Sequence, residues 1–259
     1  MTARVRNILF GPAPQAGANC GLPNLLVAGC SYTWNNSDEH ACTWPYYLQR
    51  LLGMHQVLDC SQSGSGPDLA FNSIMNEVVT NPLVNPETTM ILVMWPELSR
   101  TDVIVTFDDM LERYHAMSLY RFSDHFANLS IYNQTNQGHT AFDDLAARYK
   151  RVIATDAQEY QSLLKMRSLA AALDNEDFYW MFLSWDQPDL TRLEDLRIPD
   201  AVVKSLDLVE PIQTLASYAR SSGQTIPGDG HPTSEAHLEW TRQVLLPHMA
   251  QRWPSIISI

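Results

Sequence analysis

The sequence predicts an α/β fold in which a parallel sheet is flanked by helices. Three short apolar runs, at residues 24–29, 56–60 and 89–95, lack period-2 alternation and are typical of strands buried on both faces. Segments with apolar residues at helical spacing separate these runs, which is the pattern of βαβ units. The chain of 259 residues, 45% of them hydrophobic, is long enough for one large domain with a sizeable core.

The first half of the chain alternates regularly between strand and helix. Gly29 ends the first strand, Gly53 ends the helix that follows it, and Pro96 ends the third strand. In chain order the predicted elements are a strand at 24–29, a helix at 43–52, a strand at 56–60, a helix at 68–79 and a strand at 89–95. A turn-rich loop of serines and glycines, 61–67, leads into the second helix.

The second half is less regular. Residues 101–140 mix aromatic and polar side chains without a clear period, which we interpret as an insertion or lid over a cleft. We predict one long helix or two over 142–173, a fourth strand at 177–185, a loop-like segment at 186–207 without an evident fifth strand, and a final helix after Thr233. A single domain is therefore predicted over 24–252.

The two ends of the chain lie outside that domain. Residues 1–23 are rich in Pro, Gly and Ala and predict an extended arm, either loosely packed or in contact with a neighbouring subunit. Residues 253–259 form an apolar tail, which is either a core strand or a patch for a partner.

Charge and hydropathy exclude several classes of protein. A formal net charge of -12 disfavours a nucleic-acid or anionic-membrane surface, since both require basic patches. There is no window of 18 apolar residues, and the apolar run at 8–10 is too short for a secretory signal. The four cysteines form neither a CxxC pair nor a zinc-finger pattern. We therefore expect a cytoplasmic or virion-associated protein.

Two places carry the residues of an acyl-transfer site. Ser31 follows the first strand, and ligands of open α/β sheets bind beyond the carboxyl ends of strands. His231 stands on a rigid turn just before the final helix, with Asp229 two residues earlier. Such residues can act as nucleophile, base and orienting acid. The alternatives are a helix-capping serine, a histidine that satisfies the final helix, and an aspartate bonded to its own turn.

At these places the sequence resembles the SGNH, or GDSL-type, hydrolase superfamily. Gly29–Thr33 (GCSYT) resembles its first block, with Cys in place of Asp, and Gly64 or Gly66 resembles the glycine of its second block. Asp229–Pro232 (DGHP) is similar to its last block, D-x-x-H-P, but one residue shorter. Met94–Arg100 (MWPELSR) resembles a tryptophan-containing segment of a subset common in phage and bacterial genomes.

The resemblance implies a three-layer, flavodoxin-like fold and an ester or acetyl-ester hydrolase without a metal or other cofactor. It implies that Ser31 is the nucleophile, that His231 is the general base and that Asp229 orients the imidazole. Because the last block is shortened, Asp186 after the fourth strand is a weaker substitute for that acid. The N–H groups of Ser31 and Gly64 would form part of an oxyanion hole.

The family's third block normally supplies an Asn that donates to the oxyanion. Residues 91–100 contain no Asn, so Arg100 is the candidate replacement. Losing such a donor typically lowers turnover by ~10²–10³-fold. The chain is thus expected to be an esterase of normal or reduced activity, or a scaffold without activity.

The leading functional prediction is a serine esterase acting on a small acyl ester such as an O-acetyl group on a carbohydrate. Trp34 and Trp95, near strand ends, are either a sugar-stacking platform or buried aromatics. The alternative is a weak or inactive scaffold that forms homo-oligomers or binds virion partners through the N-terminal arm. A metal-dependent hydrolase using Asp229, His231 and His237 is disfavoured, because the six-residue spacing of the histidines separates them on a helix.

Overall fold

A five-stranded sheet forms the centre of the fold. The computed structural model describes residues 6–8, 19–34, 42–62, 64–98, 101–105, 115–119, 129–131, 155–186, 198–228 and 230–258. The strands are β1 (Arg6–Ile8), β2 (Asn19–Cys20), β3 (Asn24–Gly29), β4 (Gln56–Asp59), β5 (Thr89–Trp95), β6 (Thr101–Val105), β7 (His115–Leu119), β8 (Leu129–Ile131), β9 (Tyr179–Ser184) and β10 (Ile257–Ser258). The α-helices are α1 (Trp44–Leu52), α2 (Pro67–Thr80), α3 (Thr155–Asn175), α4 (Asp200–Val203), α5 (Leu215–Ser222), α6 (Ser234–Trp240) and α7 (Leu246–Arg252).

The strand order of the central sheet is β1-β4-β3-β5-β9. Strands β4, β3, β5 and β9 are parallel, and β1 is an antiparallel edge strand. Counted along the chain, the parallel strands lie in the order 2-1-3-4, which is the order of flavodoxin-like sheets. The predicted fold class is therefore confirmed, and the order is the one that the resemblance to SGNH hydrolases implies.

Helices cover both faces of this sheet, which makes three layers. Alternate residues of β3 and β5 point to opposite faces, so each strand contributes to two separate cores. On one face of the sheet, strand residues pack with residues of α1, α5, α6 and α7: Leu25, Val27 and Leu92 with Trp44, Leu48, Leu215, Trp240 and Met249. On the other face, strand residues pack with residues of α2 and α3: Leu26, Ala28, Ile91 and Val93 with Ile74, Met166, Leu169 and Leu173. Burial on both faces explains why these strands read as unbroken apolar runs.

The segment after β9 differs from the predicted loop. It contains α4 and a 3₁₀ turn at Lys204–Leu208, and Val209 then makes one parallel bridge with Phe182 of β9. The N–H of Glu210 donates to the Phe182 carbonyl at 2.9 Å. Pro211 follows and has no N–H to continue the ladder. The fifth parallel position is thus a single bridge, and so short a segment contains no apolar run that could have predicted a strand.

Within the predicted insertion, β6, β7 and β8 form a separate antiparallel sheet in that order. The predicted helix over 142–173 is described from Thr155 onward as α3, and its first part lies outside the described residues. Among the described residues, no helix has the length and apolarity needed to cross a bilayer.

Parts of both terminal segments are paired with other strands. Arg6–Ile8, in the predicted extended arm, pairs antiparallel with β4. Ile257 and Ser258 of the apolar tail pair with β2, and Ile257 is buried. Where they are described, the arm and the tail therefore complete sheets of this chain.

Candidate active site

Ser31 lies in a tight turn directly after β3, at the carboxyl edge of the parallel sheet. The carbonyl of Cys30 accepts the N–H groups of Thr33 and Trp34, each at 2.9 Å. The Thr33 carbonyl in turn accepts the hydroxyl of Thr43 at 2.8 Å, one residue before α1 begins. The turn is thus fixed to β3 on one side and to α1 on the other, and it holds Ser31 half-buried at the sheet edge.

Gly29 is required by this turn for steric reasons. A Cβ at position 29 would lie 2.3 Å from the Thr33 hydroxyl oxygen and 2.8 Å from the Met94 carbonyl oxygen. Both separations are far below van der Waals contact. Only glycine therefore lets residues 30–34, which we call the serine turn, fold back onto β3 and β5.

The loop after β4 is tied to the same point. The Gly29 carbonyl accepts the N–H of Gln62 at 3.0 Å and the hydroxyl of Ser65 at 2.9 Å. Gly64 lies between these two contacts in the left-handed region, with φ 78°. Within the described part of the chain, the N–H groups of Ser31 and Gly64 donate no hydrogen bond.

His231 is carried by a narrow hairpin that leads into α6. The Ile226 N–H donates to the His231 carbonyl at 2.7 Å, and the Gly230 N–H donates to the Ile226 carbonyl at 3.0 Å. Gly228 and Gly230 adopt left-handed φ values of 91° and 73°, which allow the chain to reverse. These contacts fix the backbone that presents the imidazole.

The start of α6 anchors this hairpin to the rest of the domain. The Thr233 hydroxyl accepts the N–H of Ala236 at 3.2 Å and so caps the helix, as its sequence predicts. The next residue, Ser234, donates its hydroxyl to the Cys42 carbonyl at 3.0 Å, just before α1. The hairpin and the serine turn are therefore both attached to the beginning of α1.

Ser31 and His231 meet between these supports. The Ser31 Oγ and the His231 Nε2 lie 2.8 Å apart, although the two residues are 200 positions apart in the chain. When the imidazole is neutral and its proton is on Nδ1, the Ser31 hydroxyl donates to Nε2. The structure therefore places these two side chains within hydrogen-bond reach, which is the separation that proton transfer between them requires.

Of the two carboxylates proposed to orient His231, the structure describes only Asp186. Asp229 lies outside the described residues. Asp186 follows β9, and its two carboxylate oxygens accept from the Arg220 guanidinium of α5 at 2.6 and 2.9 Å. The sequence did not indicate this pairing, and it ties the end of β9 to α5.

His237, named in the metal-dependent alternative, has a structural partner. It is 4% exposed, and its Nδ1 accepts the Trp44 N–H, the first of α1, at 3.2 Å. Burial and, to a lesser extent, the neighbouring His231 lower the pKa of His237 to about 3. His237 is therefore neutral and closes the N-terminus of α1. Among the described residues there is no group of three or more His, Cys, Asp or Glu placed to hold a metal ion.

The predicted substrate-binding residues also have different outcomes. Trp95 is 2% exposed and packs edge-on against Phe182, with ring centroids 5.3 Å apart, so the proposal of a sugar-stacking platform is wrong for Trp95. It points to the face covered by α2 and α3 and leaves no ring surface for a sugar. Trp34 is half-buried in the serine turn, and Arg100 lies outside the described residues.

Two aromatic residues beside His231 were not predicted. The Tyr32 ring stacks on the imidazole, with centroids 4.9 Å apart and an interplanar angle of 27°. Tyr32 also contacts Trp185, with centroids 4.6 Å apart and an interplanar angle of 37°. Their positions in the sequence could have indicated this, because Tyr32 directly follows Ser31 and Trp185 directly follows the strand β9.

No family model matches the sequence, and no curated protein matches it either. Among solved structures, the chain is similar to one described as TesA, with 15% identity, a TM-score of 0.41, and coverage of 89% of this chain and 96% of that chain. It is also similar to Est2A, an acetyl xylan esterase from the rumen bacterium Butyrivibrio proteoclasticus. There the identity is 10% and the TM-score 0.42, with 93% of this chain and 65% of that chain covered. The chain thus spans just under two thirds of that esterase.

Proposed function

We propose that the protein is a serine ester hydrolase that acts on a small acyl ester. The observation that carries the proposal is the 2.8 Å separation between the Ser31 Oγ and the His231 Nε2. A serine hydroxyl is a weak nucleophile at neutral pH unless a base within hydrogen-bond reach can take its proton. His231 is such a base, and it is held at the carboxyl edge of a parallel sheet, where α/β proteins bind ligands.

The proposed reaction has two stages. Ser31 Oγ attacks the ester carbonyl carbon while His231 Nε2 takes the hydroxyl proton, and a tetrahedral intermediate forms. The carbon–oxygen bond to the alcohol then breaks, the alcohol leaves with the proton from His231, and the acyl group remains on Ser31. In the second stage His231 takes a proton from water, the resulting hydroxide equivalent attacks the acyl carbonyl, and the acid leaves as Ser31 regains its proton.

Two backbone donors would stabilise the negative charge that develops on the carbonyl oxygen. The N–H groups of Ser31 and Gly64 belong to the two loops attached to the Gly29 carbonyl and the end of β3, and neither is used by the described residues. Preorganised N–H donors of this kind are usually a large part of the rate enhancement in acyl transfer. Asp229 remains the proposed orienting acid, and Arg100 the proposed further donor.

The substrate that we propose is an acetyl or similarly small ester, including O-acetyl groups on carbohydrate. This part of the proposal comes from the sequence resemblance and from Trp34, which is half-buried beside the serine turn. The assembly alternative depended on the N-terminal arm and the C-terminal tail. In their described parts, both segments pair within this chain.

The test is covalent labelling by a fluorophosphonate, which reacts with activated serine hydroxyls. We expect labelling of the wild type and none of Ser31→Ala, with strongly slowed labelling of His231→Ala. The matched control is Ser168→Ala, because Ser168 is an exposed serine of α3 that donates to the Leu164 carbonyl. A wild type that resists the probe at concentrations that label a known serine esterase would refute the proposed nucleophile.

Substrate class can be measured with the same variants. Hydrolysis of p-nitrophenyl acetate, butyrate and octanoate, and acetate release from acetylated xylan oligosaccharides, should each depend on Ser31. We expect kcat/KM to be highest for acetate. A preference for octanoate would contradict the small acyl group while leaving the serine mechanism intact.

A further inference from the structure

Three rings make successive contacts beside the candidate site, and we call them the aromatic stack: Trp185 contacts Tyr32, and Tyr32 contacts His231. Tyr32 is the middle member and is 8% exposed. Its ring is 4.6 Å from Trp185 and 4.9 Å from His231, centroid to centroid, and it is within 27° of parallel to the imidazole. One face of His231 is therefore covered by an aromatic ring, while its Nε2 points to the Ser31 hydroxyl.

The outer member of the aromatic stack is held by α5. The Ala216 N–H donates to the Trp185 carbonyl at 3.0 Å, and Arg220 binds both carboxylate oxygens of the next residue, Asp186. The Ser184 hydroxyl also donates to the Asp186 carbonyl. The short segment that carries Trp185 is thus fixed on both sides of the tryptophan.

The middle member is fixed as well. Tyr32 lies in the serine turn, which is closed by hydrogen bonds from the N–H groups of Thr33 and Trp34 to the Cys30 carbonyl. The Arg220 side chain of α5 is held by Asp186, whose hydrogen bonds raise the pKa of Arg220 most, and the nearby Tyr32 acts in the same direction.

We propose that Tyr32 is a positioning residue, which sets the plane of the His231 imidazole so that Nε2 stays aimed at Ser31. This inference rests on the proposed function. A general base must accept a proton from the serine and then deliver it to the leaving alcohol, and a small rotation of the ring would misdirect both transfers. A ring stacked against the imidazole restricts its rotation, in addition to the contact of Nε2 with the Ser31 hydroxyl.

Stacking also suits the charge that appears on the base during the reaction. The face of an aromatic ring is negative, and it attracts a cation lying over it. In the proposed reaction His231 gains a positive charge when it takes the serine proton. Tyr32 is therefore placed to favour the charged state formed along the reaction over the resting state.

The experiment compares Tyr32→Phe and Tyr32→Leu with the wild type. Phe keeps the ring and loses the hydroxyl, whereas Leu keeps apolar bulk and loses the stack. We expect Tyr32→Leu to lower kcat by about 10- to 100-fold with KM unchanged, because only the orientation of the base is lost. Tyr32→Phe should stay within about threefold of the wild type.

The matched control is Tyr179→Leu. Tyr179 also packs against a tryptophan, Trp253, with ring centroids 6.0 Å apart, but it lies at the first residue of β9, at the opposite end of that strand from Trp185. The Tyr179→Leu variant should lose about as much thermal stability as Tyr32→Leu while keeping the kcat of the wild type. NMR adds a readout that does not need activity: the His231 ring protons should show an upfield ring-current shift in wild type and Tyr32→Phe that disappears in Tyr32→Leu.

The outcomes separate this inference from the proposed function. If wild type hydrolyses esters through Ser31 but Tyr32→Leu keeps kcat within twofold, Tyr32 has no positioning role and the hydrolase proposal stands. A rise in KM at constant kcat would overturn the inference too, because it would make Tyr32 a substrate contact. If the wild type shows no Ser31-dependent turnover, the proposed function itself fails, and the inference fails with it.

Discussion

His231 and His237 lie six residues apart and have different surroundings. His231 is half-buried and has a serine hydroxyl 2.8 Å from its Nε2. His237 is buried, and its Nδ1 accepts a backbone N–H from Trp44. One precedes α6 and faces the carboxyl edge of the sheet, whereas the other lies within α6 and faces the start of α1.

The difference shows that burial and the partner, rather than residue type, decide what an imidazole can do. His237 has a pKa lowered to about 3, so it is neutral and acts as a fixed acceptor. Such a low pKa makes His237 a weak general base, because an efficient one has a pKa near the working pH.

Replacing His231 should lower activity while leaving the stability of the fold almost unchanged. We expect His231→Ala to lower kcat for p-nitrophenyl acetate by ~10³-fold or more, because the serine loses its base. Its free energy of unfolding in urea should change little. The double variant Ser31→Ala with His231→Ala should be no less active than Ser31→Ala alone, since the two act as a unit. Additive losses would argue against a shared step.

His237→Leu should have the opposite profile. The change leaves the buried Trp44 N–H without its acceptor, which should lower the free energy of unfolding by ~1–3 kcal/mol. The exposed His55 provides the control, and His55→Leu should stay within about 0.5 kcal/mol of wild type. Should His237→Leu lose kcat as severely as His231→Ala while remaining folded, the division of roles between the histidines would be wrong.

His237 should also make the stability of the fold depend on pH. Between the ordinary value of 6.5 and the folded value of about 3, the unfolded chain binds a proton at His237 that the folded chain excludes. Stability therefore falls as pH drops through this window, by up to about 1.4 kcal/mol per pH unit from this residue. His237→Gln should flatten the acid limb of the stability curve. An unchanged slope would mean that His237 is not held neutral by the fold.

Arg220→Met should have the smallest effect. It removes the guanidinium that grips Asp186 but leaves Tyr32, Trp185 and His231 in place. The Arg220 side chain is 56% exposed, and exposed ion pairs contribute little, so we expect a decrease in kcat of about fivefold or less with a normal unfolding curve. A loss as large as that of Tyr32→Leu would transfer the positioning role from the stacked ring to the ion pair.

The sequence predicted the features that are encoded locally. The strands at 24–29 and 89–95 are bounded as expected, because burial on both faces demands unbroken apolar runs. Helix α1 ends at Gly53, which adopts the left-handed conformation of a helix C-cap. The proximity of Ser31 and His231 followed from motifs at two strand or helix ends.

Features set by tertiary contacts were missed or misread. Trp95 and Met94 are adjacent at a strand end, and a shift of one residue decides which sheet face a side chain covers. Periodicity could not tell that Trp95 faces α2 and α3. The stack of Tyr32 on His231 joins residues from opposite ends of the chain, and no local pattern records it. His237, which its spacing disfavoured as a metal ligand, accepts a backbone N–H of α1, and no local pattern records that contact either.

The antiparallel strand β1 has a consequence for any shortened form of the protein. Arg6–Ile8 cover the outer side of β4, so deletion of the first 22 residues would leave the N–H and carbonyl groups of that strand open to water. An uncovered edge is a template for pairing with another molecule. A truncated chain would therefore tend to aggregate, and self-association measured on it would report the lost edge strand rather than a native interface.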